Sequence, residues 1–260
     1  MEKLGQSHVG TTQVANDLSL GDLRAALSAG WRDYTAQPLF GLFFGGIYVA
    51  AGLLVYYVLF TQGEVAWLIP ATAGFPLIAP FVAVGLYEVS RRREQGLPMS
   101  WGKVLGALRG RGDEQILSMG LIVFVAFGFW LMIAHGIWAI FLAEAGVGSE
   151  NFEFLFTPTG MMMLAVGTPV GALIALAFYS ITVISLPMLV DREVDFLTAI
   201  ITSLAVIRSN RFVMVAWAAL IALILFIAML PLFLGLFVAL PVLGHATWHL
   251  YRRAVDPHGG

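Results

Sequence analysis

Six apolar stretches, each long enough to cross a bilayer, divide this chain into segments whose charge alternates without exception. All 14 Lys and Arg residues lie in alternate segments, while those between hold only Glu64, Glu144, Glu150 and Glu153 among charged side chains. Short loops rich in Lys and Arg stay on the cytoplasmic side of a membrane. The pattern predicts a multi-pass membrane protein with both termini in the cytoplasm. Composition agrees: 12% of residues are charged, against about a quarter in soluble proteins. No signal-peptide core precedes Pro38, and no polar segment reaches the ~50 residues of a small independent domain.

The expected spans are 38–60, 67–89, 116–143, 161–190, 212–230 and 232–250. The fourth is too long to stand straight, and Pro169 between Gly167 and Gly171 is the expected kink. The last two are tight and are read as a hairpin turning at Pro231. Three further segments repeat apolar residues at helical spacing. They are Leu20, Leu23, Leu27, Trp31 and Tyr34; then Trp101, Val104, Leu105 and Leu108; then Phe196, Ala199, Ile200, Leu204 and Ile207. Each precedes a pair of spans and reads as an amphipathic helix lying in the cytoplasmic interface. The fold class is therefore all-α, six transmembrane helices as three hairpins, each preceded by an interfacial helix.

A short internal match supports repetition. PFVAVGLYEVSRR at 80–92 aligns with PVLGHATWHLYRR at 241–253, pairing Pro80 with Pro241, Tyr87 with Trp248 and Glu88 with His249. The expected organisation is a disordered tail at 1–18, one membrane domain at 19–253 and a C-terminal tail at 254–260. Repeat units cover about 19–90, 100–190 and 195–253.

Ionisable residues within spans are the candidate sites, because each costs ~2.5–3.5 kcal/mol at the bilayer centre. Glu88 and His249 each stand three residues before an arginine, and His245 is one turn from His249. Glu88, His245 and His249, with Tyr87 and Trp248, thus share a depth near the cytoplasmic boundary. A proton-relay pair, a divalent-metal site, a headgroup pocket and a plain helix-end hydrogen-bond network all suit them. His135 belongs near the opposite surface beside Trp138, as an extracytoplasmic site or a histidine satisfied by its neighbours. The cations Arg91, Arg92, Arg93, Lys103, Arg109, Arg111, Arg252 and Arg253 are the expected contacts for anionic lipid.

Enzyme signatures are missing: no nucleophile elbow, no HExxH and no phosphate-binding glycine loop occur. Zero cysteines exclude disulfides, thiolate metal sites and covalent haem, and no two histidines stand at equal depth on facing helices for haem b. No catalytic residue, resident metal or cofactor is expected. Gly41–Gly45 and Gly167–Gly171 have the GxxxG spacing of close helix packing.

The runs FPLIAPFVAVGLYEVSRRREQG (75–96), SLPMLVDREVDFLTAI (185–200) and LPVLGHATWHLYRR (240–253) resemble an uncharacterised family of bacterial integral membrane proteins. The resemblance implies a six-span inner-membrane fold and supplies no activity or site residues. Some members carry the label of cytochrome c oxidase subunit I, which this chain is too short and too poor in histidine to support. The expected function is non-enzymatic: an accessory or scaffold protein packing against lipids, another membrane complex or copies of itself, with no nucleic-acid partner. A small proton-coupled transporter and an accessory subunit of a respiratory oxidase are the alternatives.

Overall fold

The computed structural model describes residues 13–61, 79–107, 115–145 and 152–255, and their regular structure is entirely helical. Ten α-helices follow in order: α1 (Leu20–Ala36), α2 (Pro38–Thr61), α3 (Ala79–Glu94), α4 (Trp101–Gly106), α5 (Gln115–Ala145), α6 (Pro158–Thr182), α7 (Ser185–Asp191), α8 (Phe196–Ser209), α9 (Arg211–Met229) and α10 (Leu236–Val255). One turn of 3-10 helix, Phe152–Phe156, leads into α6. Helix starts follow from local chemistry. Ser19 and Asp22 form a reciprocal capping box on α1, Thr157 caps α6 ahead of Pro158, and Asp195 caps α8.

The hub is α10, which packs against α1, α2, α3, α7 and α9. Close approach depends on missing side chains. A Cβ on Gly30 of α1 would lie 2.6 Å from both Val242 O and Ala246 N of α10. Gly45 of α2 faces Leu236 O and Phe237 Cα at 3.0 Å, and Gly41 faces Pro241. The Gly41–Gly45 pair is thus the seam between α2 and α10, as small-residue spacing allows where apolar solvent gives no hydrophobic push. Gly171 packs on Trp130, joining α6 to α5.

Among the described residues four segments are long and apolar enough to cross a membrane: Pro38–Val58, Gln115–Phe141, Pro158–Asp191 and Arg211–Met229. The charge and hydropathy pattern predicts six. Of the second expected span, 67–89, only residues from 79 onward are described. The sixth falls on α10, which is not among the four; its second half carries His245, Thr247, His249, Arg252 and Arg253. A turn at Leu230–Gly235 connects α9 to α10, with Leu232 and Phe233 in the left-handed region (φ 50° and 64°). Such backbone costs of order 1 kcal/mol or more per residue, and Phe233 is held there by burial against Gly52.

Helix α6 runs through Pro169 without interruption, and the break comes at Val183–Ile184. The side chain of Ser203 bridges that gap: Oγ donates to Ser180 O (2.7 Å) and accepts from Ile184 N (3.4 Å). Backbone groups released inside a membrane need such a substitute partner.

The three segments with amphipathic spacing are helical, as α1, α4 and α8, and in two of them the buried face coincides only in part with the apolar stripe. Leu23, Ala26, Gly30 and Asp33 form the buried face of α1, while Leu20 and Trp31 are exposed. In α8 the buried residues are Ala199, Thr202, Ser203 and Val206, and Leu197, Ile201 and Leu204 point outward. Small side chains face the protein and large apolar ones face out, as suits a helix with lipid on its other side. In α4 Val104 is buried and the Trp101 ring stacks on Phe40 and Phe43; Leu108 lies outside the described residues. The N-terminal segment also departs from expectation. Ala15 and Leu18 are buried, and Ala15 N donates to Ala254 O (2.8 Å), so residues 13–18 form a packed strap rather than a tail.

Candidate functional site: a polar layer at one end of the bundle

Because Gly30 lets α1 lie directly on α10, Asp33 one turn later reaches between α10 and α3. Its Oδ2 accepts from Ser90 Oγ (2.6 Å) and from His249 Nε2 (2.8 Å). Its Oδ1 accepts from the Arg93 guanidinium, which also donates to Arg32 O (3.2 Å). Ser90 has one proton and gives it to the carboxylate, so at its contact with His245 Nδ1 (2.8 Å) the serine accepts. His245 therefore carries its proton on Nδ1. Its Nε2 is fully buried and has no hydrogen-bond partner among the described residues.

Burial alone pushes the Asp33 carboxyl up, but hydrogen bonds from His249 and Ser90 outweigh it and hold the group below its ordinary value. A carboxyl depressed in the folded state contributes stability that is complete above its unfolded value of ~3.9. That contribution is lost as pH falls through the lower folded-state value. Asp33→Asn is expected to lower thermal stability at pH 7 and to flatten the acid-induced loss below about pH 4. Melting curves in detergent from pH 3 to 8 measure both, and an unchanged acid slope would count against this role.

Glu88 does not join the histidines. Its carboxylate takes a bidentate pair from Arg91 (Nε to Oε2 and Nη2 to Oε1, both 2.7 Å) and a third bond from Arg92 Nη1 (3.1 Å). The cluster is nearly closed to solvent, at 5% exposure for Glu88, 5% for Arg91 and 8% for Arg92. Arg92 also donates to Pro98 O through Nη2 (2.6 Å) and Nε (3.0 Å), clamping the link to α4. Equal depth is not a shared face: Glu88 and Ser90 are two positions apart, roughly 200° around α3.

The end of α10 ties down the remaining elements. Trp248 Nε1 donates to Glu94 Oε2 (3.0 Å), Arg252 bonds Glu94 Oε1 (3.1 Å) and Asp191 Oδ2 (3.2 Å), and the Tyr251 hydroxyl donates to Asp191 Oδ2 (2.8 Å). Arg253 pairs with Asp17 (3.0 Å) and Asp22 (3.2 Å). Tyr87 is buried in the apolar core.

These pairings correct most of the expected lipid contacts. Arg91 and Arg92 are buried on Glu88, Arg93 is engaged by Asp33, and Arg252 and Arg253 are spent on acids of the same chain. Lys103 is exposed and makes no ion pair among the described residues, while Arg109 and Arg111 lie outside them. His135 sits on α5, three residues from Trp138, which packs with Phe154 and Met163 in a separate small cluster. The side chains of Glu64, Glu144, Glu150 and Glu153 also lie outside the described residues.

Sequence reasoning does not find Asp33, Ser90, Glu94, Asp191 or Asn210. One signal exists for Asp33: it continues the small-residue row Ala26–Gly30, which marks close packing, whereas the larger apolar stripe draws attention to the opposite face. Ser90 and Asn210 carry no such signal. Chemically, the layer is an internally satisfied acid–base network. Ser90, His245 and Asp33 are the residue types of a serine hydrolase without its geometry, since Ser90 is inaccessible and its proton goes to the carboxylate rather than to a histidine. Among the described residues no three His, Asp or Glu side chains group as metal ligands.

Residues 68–191 match the model of a family described as a predicted integral membrane protein, DUF2189, an uncharacterised membrane family. No curated protein and no solved structure matches the chain.

Proposed function

We propose that this integral membrane protein, similar over residues 68–191 to an uncharacterised membrane family, is a non-enzymatic accessory or scaffold component of the bacterial cytoplasmic membrane. In this reading the chain crosses six times, through α2, the segment ending in α3, α5, α6–α7, α9 and α10, with both termini in the cytoplasm. The observation that carries it is the contrast between the two parts of the molecule. The polar layer is closed by its own ion pairs, whereas only 17% of the α5 span and 28% of the α9 span are buried. A shallow apolar groove of about 390 Å³, lined by Leu121, Ile122, Val125, Ala126 and Phe129, runs along α5. Working surface of this kind suits lateral packing against another membrane protein.

Gentle extraction followed by native mass spectrometry tests it. The expected result is one stoichiometric membrane-protein partner, lost when Phe129 and Val125 are replaced by Ser. A bare monomer would overturn the reading. The alternative is proton-coupled transport through His245 and His249, favoured by the unpartnered His245 Nε2. It predicts proton flux in vesicles that His249→Gln abolishes.

A further inference from the structure

Most cations of the polar layer are consumed by acids, and three of those left over stand on helices that one buried clamp joins. Arg24, Arg208 and Arg211 are exposed and make no ion pair among the described residues. Asn210, buried and lying between the last two in sequence, is bonded to the segment just ahead of α1, the helix that carries Arg24. Its Nδ2 donates to Ala15 O (2.7 Å) and its Oδ1 accepts from Leu18 N (3.1 Å). This clamp fastens the start of α1 to the corner where α8 ends and α9 begins, and α1 packs against α9, which sets the helix carrying Arg24 beside the corner carrying Arg208 and Arg211. The acid nearest in sequence to Arg24, Asp22, is turned to Ser19 and Arg253. Large apolar side chains on the same three helices are exposed: Leu20 (54%), Leu204 (44%) and Phe212 (76%).

Two physical facts select the occupant. A guanidinium offers a planar fork of donors that fits phosphate oxygens, and three of them uncompensated favour a net negative headgroup over a zwitterionic one. A soluble phosphate would meet the charges and leave Leu20, Leu204 and Phe212 in water; a phospholipid covers both, headgroup on the arginines and acyl chains on the apolar side chains. We propose that this corner is a binding site for an anionic phospholipid. The inference rests on the reading above only for its membrane setting, and does not require a protein partner.

The test uses the full chain in nanodiscs of equal phosphatidylglycerol and phosphatidylethanolamine, with retained lipid counted by native mass spectrometry. Wild type should retain phosphatidylglycerol selectively. Arg208→Gln with Arg211→Gln should cut that preference roughly 30-fold, the ratio that corresponds to two basic side chains at about 1 kcal/mol each. Both positions are exposed, so the melting temperature should hold, and Arg208→Lys with Arg211→Lys should keep much of the preference. Lys103→Gln, which removes an exposed cation elsewhere, should leave it unchanged. An unaltered preference in the double Gln variant, or an equal loss in Lys103→Gln, overturns the site. Partner co-purification is read separately, so failure here is distinct from failure of the accessory role.

Discussion

Glu88→Ala is expected to destabilise the protein by about 3–5 kcal/mol, because it leaves two buried guanidinium groups without their carboxylate. Arg91 and Arg92 lose three hydrogen bonds between them, and neither side chain has open solvent to turn to. The effect should be a property of the unpaired charge rather than of the lost glutamate. Glu88→Gln combined with Arg91→Met and Arg92→Met should therefore recover much of the stability, although Pro98 O would lose its donor. Thermal denaturation in detergent distinguishes the two. A mild single variant, or a triple variant as damaged as the single, would show that the cluster is not held by charge pairing.

Gly30→Leu should be comparably severe. Its Cβ would meet Val242 O and Ala246 N at 2.6 Å, and these are backbone atoms that cannot rotate aside. Overpacking of a core costs typically 1–3 kcal/mol when side chains can yield. Here α1 must lift from α10, taking Asp33 away from Ser90 and His249, so a loss of at least about 3 kcal/mol is expected. Hydrogen exchange over residues 20–36 should accelerate with it. Gly128→Ala supplies the contrast: a Cβ there meets nothing within 4 Å among the described residues, so stability should stay level or rise by up to ~1 kcal/mol, the helix-propensity gain. Equal protection of α1 in wild type and Gly30→Leu would show that this glycine does not position the polar layer.

These two positions show what a sequence of this class reveals unevenly. Depth alone picks out Glu88, His245, His249, Tyr87, Trp248 and the arginines; of these, Glu88, His245, His249, Trp248, Arg91, Arg92, Arg93, Arg252 and Arg253 take part in ion pairs or hydrogen bonds at one end of the bundle, while Tyr87 lies in the apolar core. Their partners are not legible in the same way. Glu88 shares the histidines' distance from the arginines, which groups it with them, yet it faces the other side of α3 and holds Arg91 and Arg92. The acid that does meet the histidines, Asp33, lies 216 residues from His249, on the polar face of its helix opposite the apolar stripe. For the same reason five arginines expected at lipid are engaged internally, whereas Arg24, Arg208 and Arg211 make no ion pair among the described residues.

From sequence alone came the membrane class, the alternation of basic and acidic connecting segments, and the existence and order of α1, α4 and α8 ahead of the long helices. Those features rest on one-dimensional rules: hydrocarbon thickness sets length, capping residues and proline set boundaries, and charge sets sidedness. Only the tertiary structure decided which face of each helix meets the protein. In water a large apolar stripe points to the core, but beside lipid both directions are apolar, and close packing goes to the face with the smallest side chains. That is why Gly30 and Ala26, not Leu20 and Trp31, turn inward, and why Asp33 sits at the centre of the site.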